Sequence, residues 1–434
     1  MNHKDKITNI ATILKKNKTP VRFTKKTVSH KVPNPNSSET TDNIINISNL
    51  DQILEIDTEN KTCTAEPGVT FSELTKATLQ HNLTPIIVPE LKEITIGGAV
   101  AGCSVESMSY KHGGFHDNCL EYELITAKGD VLECTPENNK DIFHMLHGTF
   151  GTLGMITKLK FKLIDAKPYV HLIHETHKTL EEYKKSIKDH FEKQDIDFMD
   201  GIIHSPEHYV LCTGNFTDNA PYTNAYDWMK IYHKSTAKRK EDYLKTYDYY
   251  FRYDADCHWI SRNYGMENPI LRFLLGKFLL SSTNMLSMAN KLKPIFKHIK
   301  PDVIVDVFVP FSKWEEFSEF YNKELNDFPV WMVPYKIDKH YPWINEKHLE
   351  GIEDKLFIDL ATYGMKQKDD RNYYRLIEEE LMKVQGMKTL ISHNFYTEDE
   401  FWGLWNKKNY ENVKQKTDPD NVFGDLYSQT HPSR

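Results

Sequence analysis

PELKEITIGGAVAGCSVESMSYKHGGFHDNC, Pro89 to Cys119, is the stretch from which the fold is read. It opens on a proline and carries glycines at Gly97, Gly98, Gly102, Gly113 and Gly114. Thr95, Ser104, Ser107 and Ser109 lie between them, and few large aliphatic residues interrupt the run. It is therefore expected as a loop rather than a regular helix or strand. Glycine lacks a Cβ and lets another group come close to the backbone. Exposed N–H groups and short hydroxyls are what a pyrophosphate or a flat polar ring requires of a protein. The run reads as a loop around a phosphate-bearing cofactor; the alternative is a glycine-rich turn in a β-rich core. It is neither a Rossmann fingerprint nor a P-loop, since G-x-G-x-x-G and G-K-[ST] are both missing from it.

Upstream, IINIS, ILEID and TCTAEPGVT read as strands, the last two joined by a turn at TENK. FSELTKATLQHN reads as an amphipathic helix with Phe71, Leu74, Ala77 and Thr78 on one face. Downstream, CLEYELITAKGDVLECTP reads as a β-hairpin turned at Lys128-Gly129-Asp130. DIFHMLHGTFGTLGMITKLKFKLI then gives a short helix, a turn with Gly148, Gly151 and Gly154, and a strand. From about Asp165 the character changes to strand-like runs (VHLIHE, GIIHS, YVLCTG, VIVDVFVP) mixed with lysine-rich helical segments. FPVWMVPYK and LFIDLATYG are two more strands, and RNYYRLIEEELMKVQG is a helix ended by Gly386.

The segment TIGGAVAGCSVES, Thr95 to Ser107, resembles the flavin-contacting segment of the PCMH-type FAD-binding domain shared by the vanillyl-alcohol-oxidase-type flavoproteins. The longer run PELKEITIGGAVAGCSVESMSYKHG is similar to that of the Δ24-sterol reductases (the seladin/diminuto family) and their microbial relatives. The resemblance implies an α+β fold. A PCMH-type FAD-binding domain of two α/β subdomains is expected over 1–165, and a sheet-and-helix substrate cap over 166–400. A return segment over 401–434 is expected to pack on the first domain, because DPDNVF, Asp418 to Phe423, resembles the closing segment of the superfamily. The implied cofactor is non-covalent FAD, held by Pro89, Thr95, Ile96, Gly97, Gly98, Ala99, Gly102, Ser104, Glu106 and Ser107. The second turn adds Gly151, Thr152, Gly154 and Ile156. Residues 21–35 stand where the superfamily has a glycine-rich phosphate loop; this chain has no glycine there and offers Thr27, Ser29 and His30. His30 is also the residue that would carry a covalent flavin, the alternative being a polar loop histidine.

The chain has 434 residues, 39% of them hydrophobic and 12% aromatic, enough for two or three domains with a substantial core. The net charge of −7 argues against a nucleic-acid partner. Six cysteines without C-x-x-C spacing suggest a reduced compartment and no zinc or disulfide framework, and no metal is expected. The lysine-rich start lacks the apolar core of a signal peptide, and no run of about 18 apolar residues marks a transmembrane segment. A cytoplasmic protein is expected, with peripheral membrane contact left open. Asn268 to Leu292 is apolar with few charges, reading as a cap helix or as one lying on a membrane surface. Asp242 to Gly265, dense in tyrosine, reads equally as the lining of an apolar pocket or as packing.

The resemblance implies NADPH-linked reduction of an isolated C=C bond in a sterol or related lipid, by hydride from the flavin and a proton from a protein acid. An isolated alkene is a poor hydride acceptor, so the acid must reach the carbon it protonates within about 3 Å. Candidates are Glu106, Tyr110, Lys111 and His393, with His112, Asp254, Asp256, His258 and Tyr396 beside them. Glu106 reads alternatively as a carboxylate ordering its loop, and Lys111 as a charge stabilising reduced flavin. An oxidase or dehydrogenase of an alcohol or hydroxy acid, a methylene-fatty-acyl reductase and a flavin-free binding module remain as alternatives.

Overall fold

A computed structural model describes residues 1–17, 19–27, 43–263, 265–282, 284, 303–338 and 340–432. Ser29 and His30 lie outside them, as does the end of the 268–292 run.

Strands β1 (Arg22–Thr24) and β2 (Ile44–Asn46) form a short parallel pair. Strands β3 (Ile53–Asp57), β4 (Thr62–Ala65), β5 (Leu83–Pro85), β6 (Cys119–Ile125), β7 (Val131–Cys134) and β8 (Met155–Asp165) build an antiparallel sheet of order β3-β4-β8-β6-β7, with β5 also on β8. Both expected hairpins are present: Asp57 faces Thr62, and Ile125 faces Val131. The helix Phe71–Leu79 starts in a capping box, Thr70 with Glu73. It buries Phe71, Leu74, Thr75 and Thr78. Thr75 takes the place expected for Ala77, because the i, i+3, i+4, i+7 set is what faces one side of a helix.

The stretch that opened the reading departs from expectation in one respect. Ile96–Gly102 is a helix, N-capped by the Thr95 hydroxyl, and Ser109–His112 is another turn of helix. The cap and the Ala99-Val100-Ala101 run overcome the low helix propensity of the glycines.

Strands β9 (Tyr169–His177), β10 (Phe198–Ser205), β11 (His208–Thr217), β12 (Glu241–Lys245), β13 (Val303–Pro310), β14 (Val330–Lys336), β15 (Leu356–Met365) and β16 (Met387–Lys388) form one antiparallel sheet of order β12-β9-β11-β10-β14-β15-β13-β16. Pro334 lies past the end of the β10–β14 pairing, where its missing N–H deprives no neighbour on that side. One face of the sheet packs on the helices Leu180–Lys193, Trp314–Phe320 and Tyr373–Lys383 through Val305, Met332, Ile358 and Leu360. The other face turns Trp331, Ala361 and Tyr363 towards the first sheet. The period-two alternation of strands separates the two sets.

Both ends of the chain fold on the first sheet. In the helix His3–Lys16, the Lys6 ammonium donates to buried Glu66 at 2.8 Å. Beyond the helix Lys407–Thr417, the Val21 N–H donates to the Val422 carbonyl at 3.0 Å. The Lys414 ammonium donates to the Thr152 carbonyl at 2.8 Å, to Asp418 at 2.7 Å and to the Gly424 carbonyl at 2.6 Å.

Candidate active site

The helix Ile96–Gly102 floors a groove. Ile96, Ala99 and Val100 point into the core. Gly98, Ala101 and Gly102 line the open side, as the 3.6-residue period requires. The groove has two hollows that share Lys25, Thr95, Gly98, Ala101 and Phe150. One, of about 240 Å³, is bounded by Thr27, Pro67, Gly97, Gly151, Gly154 and Ile156. The other, of about 370 Å³, runs from Pro89, Glu90, Gly102 and Ser104 to the cap sheet. Its far wall is Asp306, Phe308, Trp331, Asp359 and Tyr363, from β13, β14 and β15.

Of the residues expected to hold the cofactor, Pro89, Thr95, Gly97, Gly98, Gly102, Ser104, Gly151, Gly154 and Ile156 therefore share one groove. Ile96, Ala99 and Thr152 are buried behind it. Glu106 and Ser107 lie on neither wall: the Arg252 guanidinium meets Glu106 at 3.1 Å, and the Tyr249 hydroxyl donates to Ser107 at 2.9 Å.

The groove fits a flavin dinucleotide. Thr27 Oγ1 is buried against it with no partner among the described residues. Gly151, at φ +79°, leaves an opening in which the first atom a Cβ would meet is 3.9 Å away. Gly97 does a different job, since a Cβ there would sit 2.6 Å from Pro67 Cβ, so only glycine lets the helix lie this close to the Pro67 turn. Lys25, where the hollows join, would place a cation beside a diphosphate, whose charge would counter the burial that lowers its pKa.

The cap wall is rich in carboxyl groups that the sequence reading missed. Burial pushes Glu90 up to about 8, reinforced by the charges of Glu106 and Asp306 and opposed by Arg252. Burial also pushes Asp306 up to about 6, against the Tyr363 and Thr389 side chains, which favour its anion. Asp359 is held well above the carboxylate range by burial, then by the charges of Asp306 and Glu90. Each aspartate stands alone in an apolar strand, VIVDVFVP and LFIDLATYG. Acids are almost never fully buried without a partner, so those two positions were the available signal.

The other candidates lie elsewhere. The Tyr110 hydroxyl donates to the Ile196 carbonyl, and the Lys111 ammonium points to the Gln194 carbonyl at 3.3 Å. His112, driven to about 4 by burial and then by Lys111, lies outside both hollows. His393 packs on Tyr374 with ring centres 5.4 Å apart. Asp254 accepts from the Lys92 N–H at 2.9 Å and Ser282 at 2.6 Å; Asp256 meets His233 at 3.2 Å. Tyr396 is buried among Phe401 and Trp405, and the side chain of His258 lies outside the described part.

Behind the wall, Arg252 is fully buried between Asp200 at 2.9 Å and Glu106 at 3.1 Å. Tyr253 and Trp331 also donate to Asp200, at 3.0 and 2.9 Å. The guanidinium lies over the Tyr249 ring at 4.2 Å. Tyr249, Arg252 and Tyr253 of the aromatic run thus tie Glu106 and Ser107 to the second sheet, and no described side chain of 242–265 lines either hollow. A third, apolar cavity of about 60 Å³ adjoins at Gly102, Cys103, Phe150 and Phe308 and is walled by Tyr335, Tyr341, Trp343, Phe357 and Trp405.

Residues 1–135 match the family described as FAD binding domain. Over most of its length the chain is similar to Delta(24)-sterol reductases. It is 28% identical to the Delta(24)-sterol reductase of Homo sapiens over 399 residues, covering 88% of this chain and 76% of that protein. The Delta(24)-sterol reductase homolog of Caenorhabditis elegans is 25% identical over 421 residues, covering 88% and 77%. The Delta(24)-sterol reductase of Arabidopsis thaliana is 25% identical over 431 residues, covering 90% and 77%.

Proposed function

We propose that this protein is an FAD-dependent oxidoreductase that uses NADPH to reduce an isolated C=C bond in a sterol or related lipid. The observation that carries the reading is the continuity of the three cavities. A glycine-floored groove opens onto a wall of carboxyl groups and adjoins a small aromatic cavity of about 60 Å³, an apolar margin to the larger hollow. The names of the relatives support it.

Pro89, Thr95, Gly97, Gly98, Gly102, Ser104, Gly151, Gly154 and Ile156, with Lys25 and Thr27, would hold the dinucleotide without a covalent bond. FAD bound there would accept a hydride from NADPH and pass it to one alkene carbon. The chain's own part is to orient the alkene, exclude water and supply a proton to the other carbon. Phe150, Phe308 and Trp331 exclude water from the cavity; the buried carboxyl groups facing it are proton carriers.

A lipid substrate has to be collected from a membrane or carrier. Among the described residues no helix is long and apolar enough to cross a membrane. The helix Pro269–Leu279, however, leaves Ile270 70% and Phe273 62% exposed, with Leu274 beside them. Met266 and Leu280, which flank it, pack with Leu91 and Ile94, and these two line the larger hollow. That placement supports peripheral contact with a lipid surface.

Anaerobic absorbance tests the reading. Flavin bands that bleach with NADPH and return on adding a side-chain-unsaturated sterol are expected. Bands that ignore NADPH but bleach with an alcohol or hydroxy acid would move the protein to the oxidases. No bands after incubation with FAD would remove both.

A further inference from the structure

Asp306 and Asp359 come from positions 53 residues apart, yet the sheet makes them neighbours. In the β13–β15 register Asp306 faces Ala361, and Phe308 faces Asp359. The two aspartates are therefore diagonal partners on one face, within side-chain reach of each other. That face is the wall of the larger hollow. Asp306 is 9% exposed and Asp359 3%. Oδ1 of each has no hydrogen-bond partner among the described residues. Across the cavity stands Glu90, half-buried, from the loop that opens the glycine stretch.

Buried carboxylate oxygens without partners among the described residues are costly if every group is ionised, and Lys25 is the one cation on this hollow's described lining. Three acids on one cavity therefore retain protons between them. The two aspartates are not equivalent. The Tyr363 and Thr389 side chains interact with Asp306 and favour its charged form. Asp359 has no such support, and the charges of Asp306 and Glu90 act against its ionisation. Asp359 is thus the group that keeps a transferable proton, and Asp306 the anion that keeps it there.

We propose that Asp359 is the catalytic acid that protonates the alkene, with Asp306 as its positioning partner and Glu90 as the route by which its proton is replaced. The proposal rests on the reductase reading above. The carboxyl O–H bond of Asp359 breaks as the alkene π electrons form a C–H bond. The other carbon receives the hydride that came from NADPH, so the alkene becomes an alkane and NADPH becomes NADP⁺. Asp359 is left as a carboxylate and regains a proton from Glu90, which meets solvent at the edge of the hollow.

Four variants of the flavin-loaded protein test this: Asp359→Asn, Asp359→Glu, Asp306→Asn and Glu90→Gln. The first readout needs no turnover. At neutral pH the infrared spectrum of wild type should show protonated-carboxyl C=O absorption, to which Glu90 also contributes, and Asp359→Asn should remove one component of it while Glu90→Gln removes another; an unchanged spectrum in Asp359→Asn would overturn the proposal. The second separates the two half-reactions. In Asp359→Asn, NADPH should still bleach the flavin, while return of colour on adding the sterol alkene slows by about 10²–10⁴-fold, the usual share of a general acid. Asp359→Glu, which keeps an acid, should recover part of that rate. Asp306→Asn should shift the pH profile of colour return. Colour returning at the wild-type rate in Asp359→Asn, or equal loss in the Asn and Glu variants, would overturn the assignment. If wild type bleaches but never recovers with an alkene, the reductase reading itself has failed; the infrared band then decides alone whether Asp359 holds a proton.

Discussion

The two sides of the groove are built in opposite ways. The floor is one continuous piece of chain, Pro89 to Ser104, made of glycine and small residues. The facing wall is assembled from three strands whose contributing residues are spread from Asp306 to Tyr363, and it carries aromatic and acidic side chains. The floor offers backbone and shape; the wall offers charge and protons. Chemistry that depends on close approach can be written in a short run of sequence. Chemistry that depends on convergent side chains requires a sheet.

That contrast can be broken at several points. The largest effect is expected where wall and floor are joined. Arg252→Ala leaves Asp200 and Glu106 facing each other in the interior. Removing one partner of a buried ion network costs about 3–5 kcal/mol. Urea unfolding should show it, and Arg252→Lys, which cannot serve both carboxylates in the same geometry, should recover only part. On the floor, Gly97→Val drives a Cβ into Pro67. About 1–3 kcal/mol of overpacking cost and a large drop in retained flavin are expected, read together as melting temperature and colour after gel filtration.

The third prediction concerns pH and belongs to the wall. Glu90 and Asp306 both sit above the ordinary carboxylate range in the fold, at about 8 and about 6. The folded state therefore binds more protons than the unfolded chain between the ordinary range and these values. Their contribution to stability is complete in the acid range. It is lost as pH rises through about 6 for Asp306 and about 8 for Glu90. A melting temperature that falls from the ordinary carboxylate range up to about pH 6 through both groups and on to about pH 8 through Glu90, and that is flatter in a Glu90→Gln, Asp306→Asn double variant, is the expected result. Fourth, Lys25→Ala at the junction of the hollows should weaken FAD binding about tenfold, or ~1.4 kcal/mol, with the fold unchanged. The smallest effect on the fold is expected from Phe273→Ser, which is 62% exposed; stability should stay within about 0.5 kcal/mol while flotation with lipid vesicles falls.

Legibility in the sequence follows the same division. The hairpins around Asn60 and Gly129, the strands VIVDVFVP and LFIDLATYG and the glycine turn before Met155 are local patterns, and each appears where periodicity and turn residues place it. The helix within Pro89–Cys119 was hidden because glycine counts against helix and the Thr95 cap counts for it, and the cap is the weaker visual signal. Lys25 was passed over because the missing glycines of residues 21–35 drew attention to hydroxyls and a histidine. Asp306 and Asp359 meet only through the β13–β15 register, which no spacing along the chain encodes. Glu106 and Tyr110 were conspicuous in sequence because they follow the glycines. The chain has turned away by that point: Glu106 meets Arg252, and the Tyr110 hydroxyl donates to the Ile196 carbonyl, away from both hollows.

The Lys414 ammonium ties the glycine turn at Thr152 to Asp418 and Gly424 near the chain's far end. Synthesis runs from the other end, so the turn that closes one side of the groove exists for most of translation without the cation that holds it. Retention of a dinucleotide in this groove is therefore expected only once Lys414 has been made. A chain truncated before Lys414 should fold its sheets and yet hold its ligand weakly, and colour would report the arrival of that cation rather than folding.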